Sequence, residues 1–196
     1  MAQARILDRA FWENRYATGE TGWDAGRITT PLKTYFDQLQ DKDLEILIPG
    51  GGKSHEAEYL HWAGFGNVHV VDLAGAAFGH LLSRCPEFPR DHLHQADFFA
   101  HAGRYDLIVE QTFFCALDPR LRPQYVEHMH ELLHPGGKLV GVLFDDPLFT
   151  DHPPFGGHAA EYLALVRPVF PKVSLEPCYN SIPPRAGREL WLKAVR

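Results

Sequence analysis

Short apolar runs of strand length alternate with amphipathic stretches along most of this chain. Each run is rich in Val, Ile, Leu or Phe, as is typical of strands that are buried on both faces of a sheet. The alternation therefore restricts the chain to folds that combine a buried sheet with helices. The runs occupy residues 44–48, 68–73, a short stretch around Leu93, and residues 105–109, 138–144, 173–175 and 189–195.

Helical patterns fill the intervals. Thr30 can cap the first of them, with Pro31 at the first helical position. Repeated β–α alternation predicts an α/β fold with a mostly parallel sheet and helices on both faces. No helix separates the last two apolar runs, so we expect them to form an antiparallel hairpin at one edge. The predicted helices occupy residues 30–39, 56–63, 76–83, 119–133 and 159–169.

Length, charge and cysteine content narrow the functional classes. A chain of 196 residues suits a single domain, residues 1–196. Its net charge of -6 and its lack of a Lys/Arg cluster argue against a nucleic-acid partner. Three widely spaced cysteines fit a reducing compartment, and no apolar run could serve as a signal or span a bilayer. We expect a cytoplasmic monomer that acts on a small molecule away from membranes.

The first apolar run ends in a glycine-rich loop, residues 49–52, which precedes a predicted helix. Ligands of open α/β sheets bind beyond the carboxyl ends of the strands, and glycines let the backbone approach a ligand closely. A phosphate-binding P-loop is disfavoured because Leu47 replaces its first glycine and Pro49 has no N–H. His55 replaces the third glycine of the dinucleotide fingerprint. A plain tight turn and a loop for S-adenosylmethionine, which has no pyrophosphate, both remain open.

Two acidic residues follow the next strands. Asp72 ends the second predicted strand, about twenty residues past the loop, where a carboxylate can accept hydrogen bonds from ribose hydroxyls. Asp97 follows the third strand and could accept from an adenine amino group, with Phe98 against the ring; the alternative is a loop cap. The loop and the two acids, in this order and spacing, favour a methyltransferase that uses S-adenosylmethionine.

Several motifs give the chain a resemblance to a known family. Residues 106–116 match the pattern D-L-I-x-[DE]-x-x-F-F-C-A, and residues 47–52 are similar to a V-P-G-C-G loop. Residues 11–32 resemble an entry segment of the form W-E-x-x-W/Y…P-W-D…P, and residues 132–137 and 152–155 match later landmarks. Over most of its length the chain resembles the thiopurine and thiol/halide methyltransferases.

The resemblance implies a fold and a set of site residues. The fold would be the Rossmann-like class I methyltransferase fold, with a seven-stranded, mostly parallel sheet, an antiparallel edge strand, and an N-terminal helical segment, residues 1–40, that covers S-adenosylmethionine. Departures from the family pattern are Ser54 for a glycine, Gln111 for arginine or tyrosine, and Phe144 for tyrosine. The implied cofactor-binding residues are Trp12, Tyr16, Trp23, Gly50, Gly51, Asp72, Asp97, Phe98, Glu110 and Gln111.

The expected reaction is methyl transfer to a small, soft nucleophile, above all a thiol. A sulfonium already carries an activated methyl group, so the protein must align the reactants and exclude water. A thiol reacts as thiolate and ionises near neutral pH, so no dedicated base is assigned. Halide, hydrogen sulfide, selenium species and thiopurines remain alternative acceptors, and a non-catalytic cofactor-binding module is an alternative of a different class. Candidate acceptor contacts are Phe114, Phe144, Phe155 and Arg185.

One motif points elsewhere. Residues 130–134 match the zincin pattern H-E-x-x-H. On the predicted helix, however, His130 and His134 lie far from the apolar stripe that contains Met129 and Leu132, so we expect both to face solvent. No third ligand follows at the metzincin spacing. The sequence therefore predicts no metal site.

Overall fold

The computed structural model describes residues 6–196 and contains one large sheet and one small one. The large sheet has seven strands in the order β3-β2-β1-β4-β5-β9-β8, and β6 pairs with β7 in a separate two-stranded ribbon. The strands are β1 (Ile46–Pro49), β2 (Val68–Asp72), β3 (Leu93–Gln95), β4 (Tyr105–Gln111), β5 (Leu133–Phe144), β6 (Asp146–Leu148), β7 (Phe155–Gly157), β8 (Lys172–Pro177) and β9 (Glu189–Val195).

Five neighbouring strands of the large sheet, β3, β2, β1, β4 and β5, run parallel. β9 pairs antiparallel with β5, from Lys138 opposite Val195 to Phe144 opposite Glu189, and β8 pairs antiparallel with β9 at the edge. The predicted α/β fold and the predicted terminal hairpin are confirmed. The strand order reverses between β1 and β4, because the chain continues from β1 to β2 on one side and returns to β4 on the other. The loops after β1 and β4 therefore diverge and leave a crevice.

Helices cover both faces of the sheet. One apolar cluster joins α2, α3 and α4 to residues such as Ile46, Val70 and Leu107. The other joins α5 and α6 to alternate strand residues such as Leu47 and Ile108, as the pleat requires. The helices are α1 (Arg9–Ala17), α2 (Thr30–Phe36), α3 (His55–Trp62), α4 (Gly75–Arg84), α5 (Arg122–Leu132) and α6 (Ala159–Val166).

Several helix boundaries differ from the prediction, and α2 ends at Phe36 rather than at 39. The cap of α2 is Thr29, not Thr30, because residue 29 has the extended backbone and its hydroxyl bonds Gln111 instead of the helix. The predicted helix 119–133 begins as a 3₁₀ turn, Pro119–Leu121, before α5. α6 ends at Val166 rather than at 169, because Pro168 has no N–H to donate to the Ala164 carbonyl.

Two features near β5 were not predicted. The strand starts at Leu133 rather than at 138, because Leu133 already pairs with Tyr105 beyond a register shift. After β5, residues 146–157 form the ribbon of β6 and β7 with a six-residue connection, which we call the flap. Within residues 6–196, no helix is long and apolar enough to cross a bilayer.

Candidate active site

A cavity of about 900 Å³ lies at the carboxyl ends of the parallel strands. Loops that follow β1, β2 and β3 line one side of it, which we call the β1–β3 side. The loop after β4, the end of β5 and the flap line the other, the β4–β5 side. Helix α1 and the segment after it contribute further wall residues. The cavity thus occupies the crevice in which open α/β sheets bind their ligands.

The glycine loop forms the base of the β1–β3 side. Gly50 and Gly52 have φ angles of 57° and 54°, a region that residues with a Cβ atom rarely adopt. Ser54 also has a positive φ, 58°, although it carries a side chain, and its hydroxyl donates to the Gly52 carbonyl at 3.1 Å. The serine thus adopts the backbone conformation that the family's glycine would favour.

Asp72 ties the end of β2 to the glycine loop. Its two carboxylate oxygens accept hydrogen bonds from the Gly52 N–H at 3.0 Å and the Ala74 N–H at 2.9 Å. Burial raises the pKa of Asp72, and the two backbone donors partly offset this effect. Each oxygen retains a further lone pair on the cavity wall, which can accept a ligand hydroxyl.

Asp97 lies both in a turn and on the cavity wall. Its carboxylate accepts from the Phe99 N–H at 3.0 Å and caps the 3₁₀ turn that follows, so the loop-cap alternative is observed as well. Phe98 is buried, and its ring meets the Phe113 ring edge to face at 5.2 Å. Phe113 therefore joins the two sides of the cavity.

The N-terminal aromatic residues form a wall above the glycine loop. Trp23 contacts Trp12 and Tyr16 edge to face, with ring centroids 5.6 and 5.9 Å apart. A Cβ atom on Gly52 would lie 3.3 Å from the Tyr16 hydroxyl, so the wall lies close to the loop. Burial, and then the negative charge of Asp72, raise the pKa of Tyr16 and keep its hydroxyl protonated.

A carboxylate holds the same segment to α3. Asp24 pairs with Lys53 at 2.7 Å and with His55 at 2.9 Å. Burial alone would raise the pKa of Asp24, but hydrogen bonds from Lys53, the Gly26 N–H and His55 lower it to about 2. The Asp24 carboxylate is therefore ionised at neutral pH, and its contacts fix the segment beside the glycine loop.

Arg185 brings a buried positive charge to the β4–β5 side. One guanidinium nitrogen donates to the Trp23 carbonyl at 2.7 Å, and the other lies 3.5 Å from Glu189 without a hydrogen bond. The guanidinium also lies 5.6 Å from the centre of the Phe144 ring. Arg185 and Phe144 both line the cavity, and their contact with an acceptor stays a prediction.

Five residues that the sequence predicts as ligand contacts do not line this cavity. Gly51 faces β2, where a Cβ atom would lie 2.5 Å from Val70. The Gln111 amide oxygen accepts from the Thr29 hydroxyl, and Phe114 and Phe155 are buried and are not on the cavity wall. Seven predicted cofactor residues do line it, and their binding role stays a prediction: Trp12, Tyr16, Trp23, Gly50, Asp72, Asp97 and Phe98.

Glu110 is the fifth residue that does not line the cavity. Its fully buried carboxylate accepts from the Phe113 and Phe114 N–H groups at 2.8 and 2.9 Å and from the Tyr125 hydroxyl at 2.5 Å. Burial raises the pKa of Glu110 to about 7, and the three donors partly oppose this. The residue positions the loop after β4 and does not face the cavity.

Phe113 and His152 are among the cavity residues that were not predicted as site residues. Phe113 lines the cavity because Thr112 has a φ of 59° and turns the chain, and no local pattern indicates that turn. His152 lines it from the flap, where its ring lies 4.1 Å from the Phe149 ring. The sequence indicated His152 only as part of a family landmark.

The zincin pattern has a structural role. His130 is partly buried against the Phe170 ring, with centroids 5.2 Å apart, so the expectation that it faces solvent is wrong. His134 is more exposed and lies 3.8 Å from Glu45. Among the residues that the structure describes, no group of three or more His, Cys, Asp or Glu side chains is arranged to hold a metal ion.

Comparison with known proteins decides the family. The model of the thiopurine S-methyltransferase family matches residues 7–189. The chain belongs to the thiopurine S-methyltransferase family. Membership confirms the predicted resemblance and the reaction class, methyl transfer from S-adenosylmethionine.

Relatives and solved structures agree with this family. The chain is 28% identical over 186 residues to "Probable thiol methyltransferase 2" of Arabidopsis thaliana, covering 91% of this chain and 81% of that protein. It is 30% identical over 193 residues to "Thiocyanate methyltransferase 1" of Brassica oleracea, covering 93% and 83%. Its fold is similar to magnesium protoporphyrin IX methyltransferase of Synechocystis PCC 6803 with bound S-adenosylmethionine, with a TM-score of 0.72, 14% identity and full coverage of both chains.

Proposed function

We propose that this member of the family transfers the methyl group of S-adenosylmethionine to the sulfur of a small thiol. One observation carries the proposal: the β4–β5 side of the cavity combines aromatic walls with a single buried cation, Arg185. Such a surface suits a soft, polarisable anion better than a hard oxygen nucleophile. The names of the thiol and thiocyanate methyltransferases among its relatives support a sulfur acceptor.

The residues of the β1–β3 side fit the cofactor. Gly50 and Gly52 let the backbone approach the methionine part, while Asp72 accepts from the ribose and Asp97 from the adenine amino group. The faces of Trp12 and Trp23 attract a sulfonium cation. A cavity of about 900 Å³ is at the upper end of the range for small-molecule sites and can hold two ligands.

The β4–β5 side fits a thiol acceptor. The displacement needs an in-line approach of sulfur to the methyl carbon in a space without water, which rings such as Phe144 and Phe149 help to exclude. Arg185 favours the thiolate over the thiol by its charge. The carboxylate on this side, Asp118, pairs with Arg120 at 2.6 Å, so deprotonation of an alcohol finds no strong base there.

The remaining features of the proposal concern the whole chain. We propose that residues 1–196 act as one domain and that the segment 1–40 covers the cofactor, although residues 1–5 lie outside the described part. The acidic net charge of -6 supports a small-molecule substrate rather than nucleic acid. The three free, buried cysteines, Cys85, Cys115 and Cys178, support a reducing, cytoplasmic location. Light scattering after size exclusion would test the proposed monomer.

Labelled methyl transfer across an acceptor panel tests the reaction. The panel contains alkyl and aryl thiols, bisulfide, iodide, selenite, a thiopurine and a phenol. We expect transfer to thiols, and we expect its loss in Asp72→Asn, while the matched exposed variant Asp41→Asn keeps it. Transfer only to iodide, selenite or the phenol would contradict the thiol assignment. Calorimetric binding of S-adenosylhomocysteine without transfer to any acceptor would indicate a non-catalytic module.

A further inference from the structure

His152 is the only histidine on the cavity wall formed by the described residues. It lies in the connection of the flap, on the β4–β5 side, where the acceptor would bind. About two thirds of its side chain is buried, and the remainder contacts solvent. A group in this position can exchange protons with both the cavity and bulk water.

The flap holds this histidine from two directions. Buried Arg122 donates to the Gly156 carbonyl at 2.9 Å and to the Phe155 carbonyl at 3.3 Å, which anchors the second strand of the flap. The Phe149 ring packs against the imidazole with a centroid distance of 4.1 Å and an angle of 37°. The imidazole therefore has a defined position at the cavity.

A hydrogen bond fixes the proton on the His152 ring. Nδ1 lies 2.9 Å from the Pro153 carbonyl oxygen, which can only accept, so Nδ1 carries the hydrogen. In the neutral ring, Nε2 then has a free lone pair. Its contact with a carboxylate is with Asp151 at 3.8 Å, beyond hydrogen-bond distance. The Nε2 atom of His152 thus has no hydrogen-bond partner among the described residues.

The carboxylates on the cavity wall are already engaged. Glu20 pairs with Arg15, and Asp118 pairs with Arg120, both at 2.6 Å. The others accept from backbone N–H groups, and they are Asp8, Asp72 and Asp97. His152 is therefore the proton acceptor with the fewest competing contacts on this wall.

We propose that His152 is the general base that removes the proton of the acceptor thiol. This inference rests on the proposed function, because only a protonated acceptor needs it. The S–H bond breaks, its proton goes to Nε2, and its electron pair stays on sulfur as the thiolate. The thiolate forms the new S–CH₃ bond, and the electron pair of the broken bond returns to the sulfur of the methyl donor. The imidazolium then releases its proton to solvent through the exposed part of the ring.

The proposal explains why the base would be an imidazole. A free thiol ionises at a pH only about two units above a typical histidine, so proton transfer between them is nearly balanced. An alcohol is far less acidic, and an imidazole would ionise little of it. With His152 as the base, the site can therefore use acceptors whose proton is as acidic as that of a thiol, and anions that carry no proton.

The test compares His152→Gln with the matched control His158→Gln. His158 lies just after the flap, is more exposed and does not line the cavity. Two thiols are used with each variant: an alkyl thiol, mostly protonated at pH 7, and a nitro-substituted aryl thiol, already ionised. We expect His152→Gln to lower kcat/KM about 100-fold or more for the alkyl thiol. We expect little change for the aryl thiol, and little change for either thiol in His158→Gln.

A binding measurement supplements the rates. Ultraviolet difference spectra report the thiolate fraction of the alkyl thiol bound together with S-adenosylhomocysteine. We expect a strong thiolate band with the wild type and a weak one with His152→Gln, at equal affinity for S-adenosylhomocysteine. Equal loss of rate for both thiols, or an unchanged thiolate band, would overturn the role of His152. A wild type that methylates neither thiol would instead contradict the proposed function itself.

Discussion

The ring of Phe113 lies so close to the backbone of Gly50 that a Cβ atom on residue 50 would fall 2.2 Å from Phe113 Cδ2. This contact joins the loop after β1 to the loop after β4, across the point where the strand order reverses. The cavity therefore has no room for an added side-chain atom at Gly50, where its two sides meet.

Gly50→Ala should damage both stability and binding. The new methyl group would force Phe113 to move, and the φ of 57° would add about 1–2 kcal/mol of strain. We expect the affinity for S-adenosylhomocysteine, measured by calorimetry, to fall at least about tenfold. Gly66→Ala is the control, because open space surrounds that position. Equal affinities for the two variants would refute the expected crowding.

Ser54 offers a test of backbone strain. Its side chain forms no cap bond with α3, so replacement costs only the hydrogen bond to Gly52. Alanine would keep the left-handed strain, whereas glycine would relieve it. Ser54→Gly should therefore be more stable than Ser54→Ala by about 1–2 kcal/mol in urea unfolding. The opposite ranking would show that residue 54 relaxes to another conformation.

Glu110 should matter through the loop that it positions. Glu110→Ala leaves three donors in the interior without an acceptor, at about 1–3 kcal/mol each. We expect a loss of at least about 3 kcal/mol in the free energy of unfolding, and only about 1 kcal/mol for Tyr125→Phe, which removes one donor. Comparable losses in the two variants would contradict the role of the backbone donors.

The same carboxylate gives the stability a pH dependence. Its pKa is raised from 4.5 to about 7 in the folded protein, so the folded state binds more protons between these values. This contribution to the free energy of unfolding is fully present below the pKa that Glu110 has in the unfolded state, and it is lost as the pH rises through 7. Glu110→Gln, which cannot ionise, should lose this component. Denaturant titrations of both proteins at pH 5 and pH 8 would measure it, and parallel curves would disprove it.

A group of histidines should act in the opposite direction. His69 stacks on His92 at 4.0 Å and lies 3.1 Å from His94, while His101 bonds the Tyr105 hydroxyl. Burial, and then the neighbouring imidazoles, lower the pKa of both His69 and His101 to about 4. An unfolded histidine titrates at about 6.5, so the stability is present above that pH and is lost as the pH falls towards 4.

His69→Phe would remove one of these titrations and keep a stacked ring. The Tm of His69→Phe minus the Tm of the wild type should be about 3–6 °C greater at pH 5 than at pH 7. His80→Asn is the control, because His80 is exposed. A Tm difference that does not change with pH would disprove the contribution of His69.

The sequence predicts the β1–β3 side better than the β4–β5 side. Gly50, Asp72 and Asp97 each lie at the carboxyl end of a strand or within two residues of it, and parallel strands bring such ends together. After β4, the left-handed turn at Thr112 selects Phe113 for the cavity in place of Glu110 and Gln111. That turn depends on the buried N–H groups that donate to the Glu110 carboxylate, and no local sequence pattern indicates it.

The flap was missed for a related reason. Its two strands have three residues each and include Pro147, Gly156 and Gly157, so they show no period of two. Their position depends on Arg122, which precedes them by more than twenty residues in the sequence. Contacts at such a separation have no signature in a local pattern.

The hydrogen bond from Arg185 to the Trp23 carbonyl has a consequence for biosynthesis. Asn180 likewise donates to Thr34, so the end of the chain holds a part that leaves the ribosome first. A nascent chain that has reached β5 has its glycine loop, Asp72 and the partners of Asp24, yet the aromatic wall above them still lacks the hydrogen bond from Arg185. The wall above the proposed cofactor site is therefore completed only after the segment that contains Asn180 and Arg185 has been synthesised.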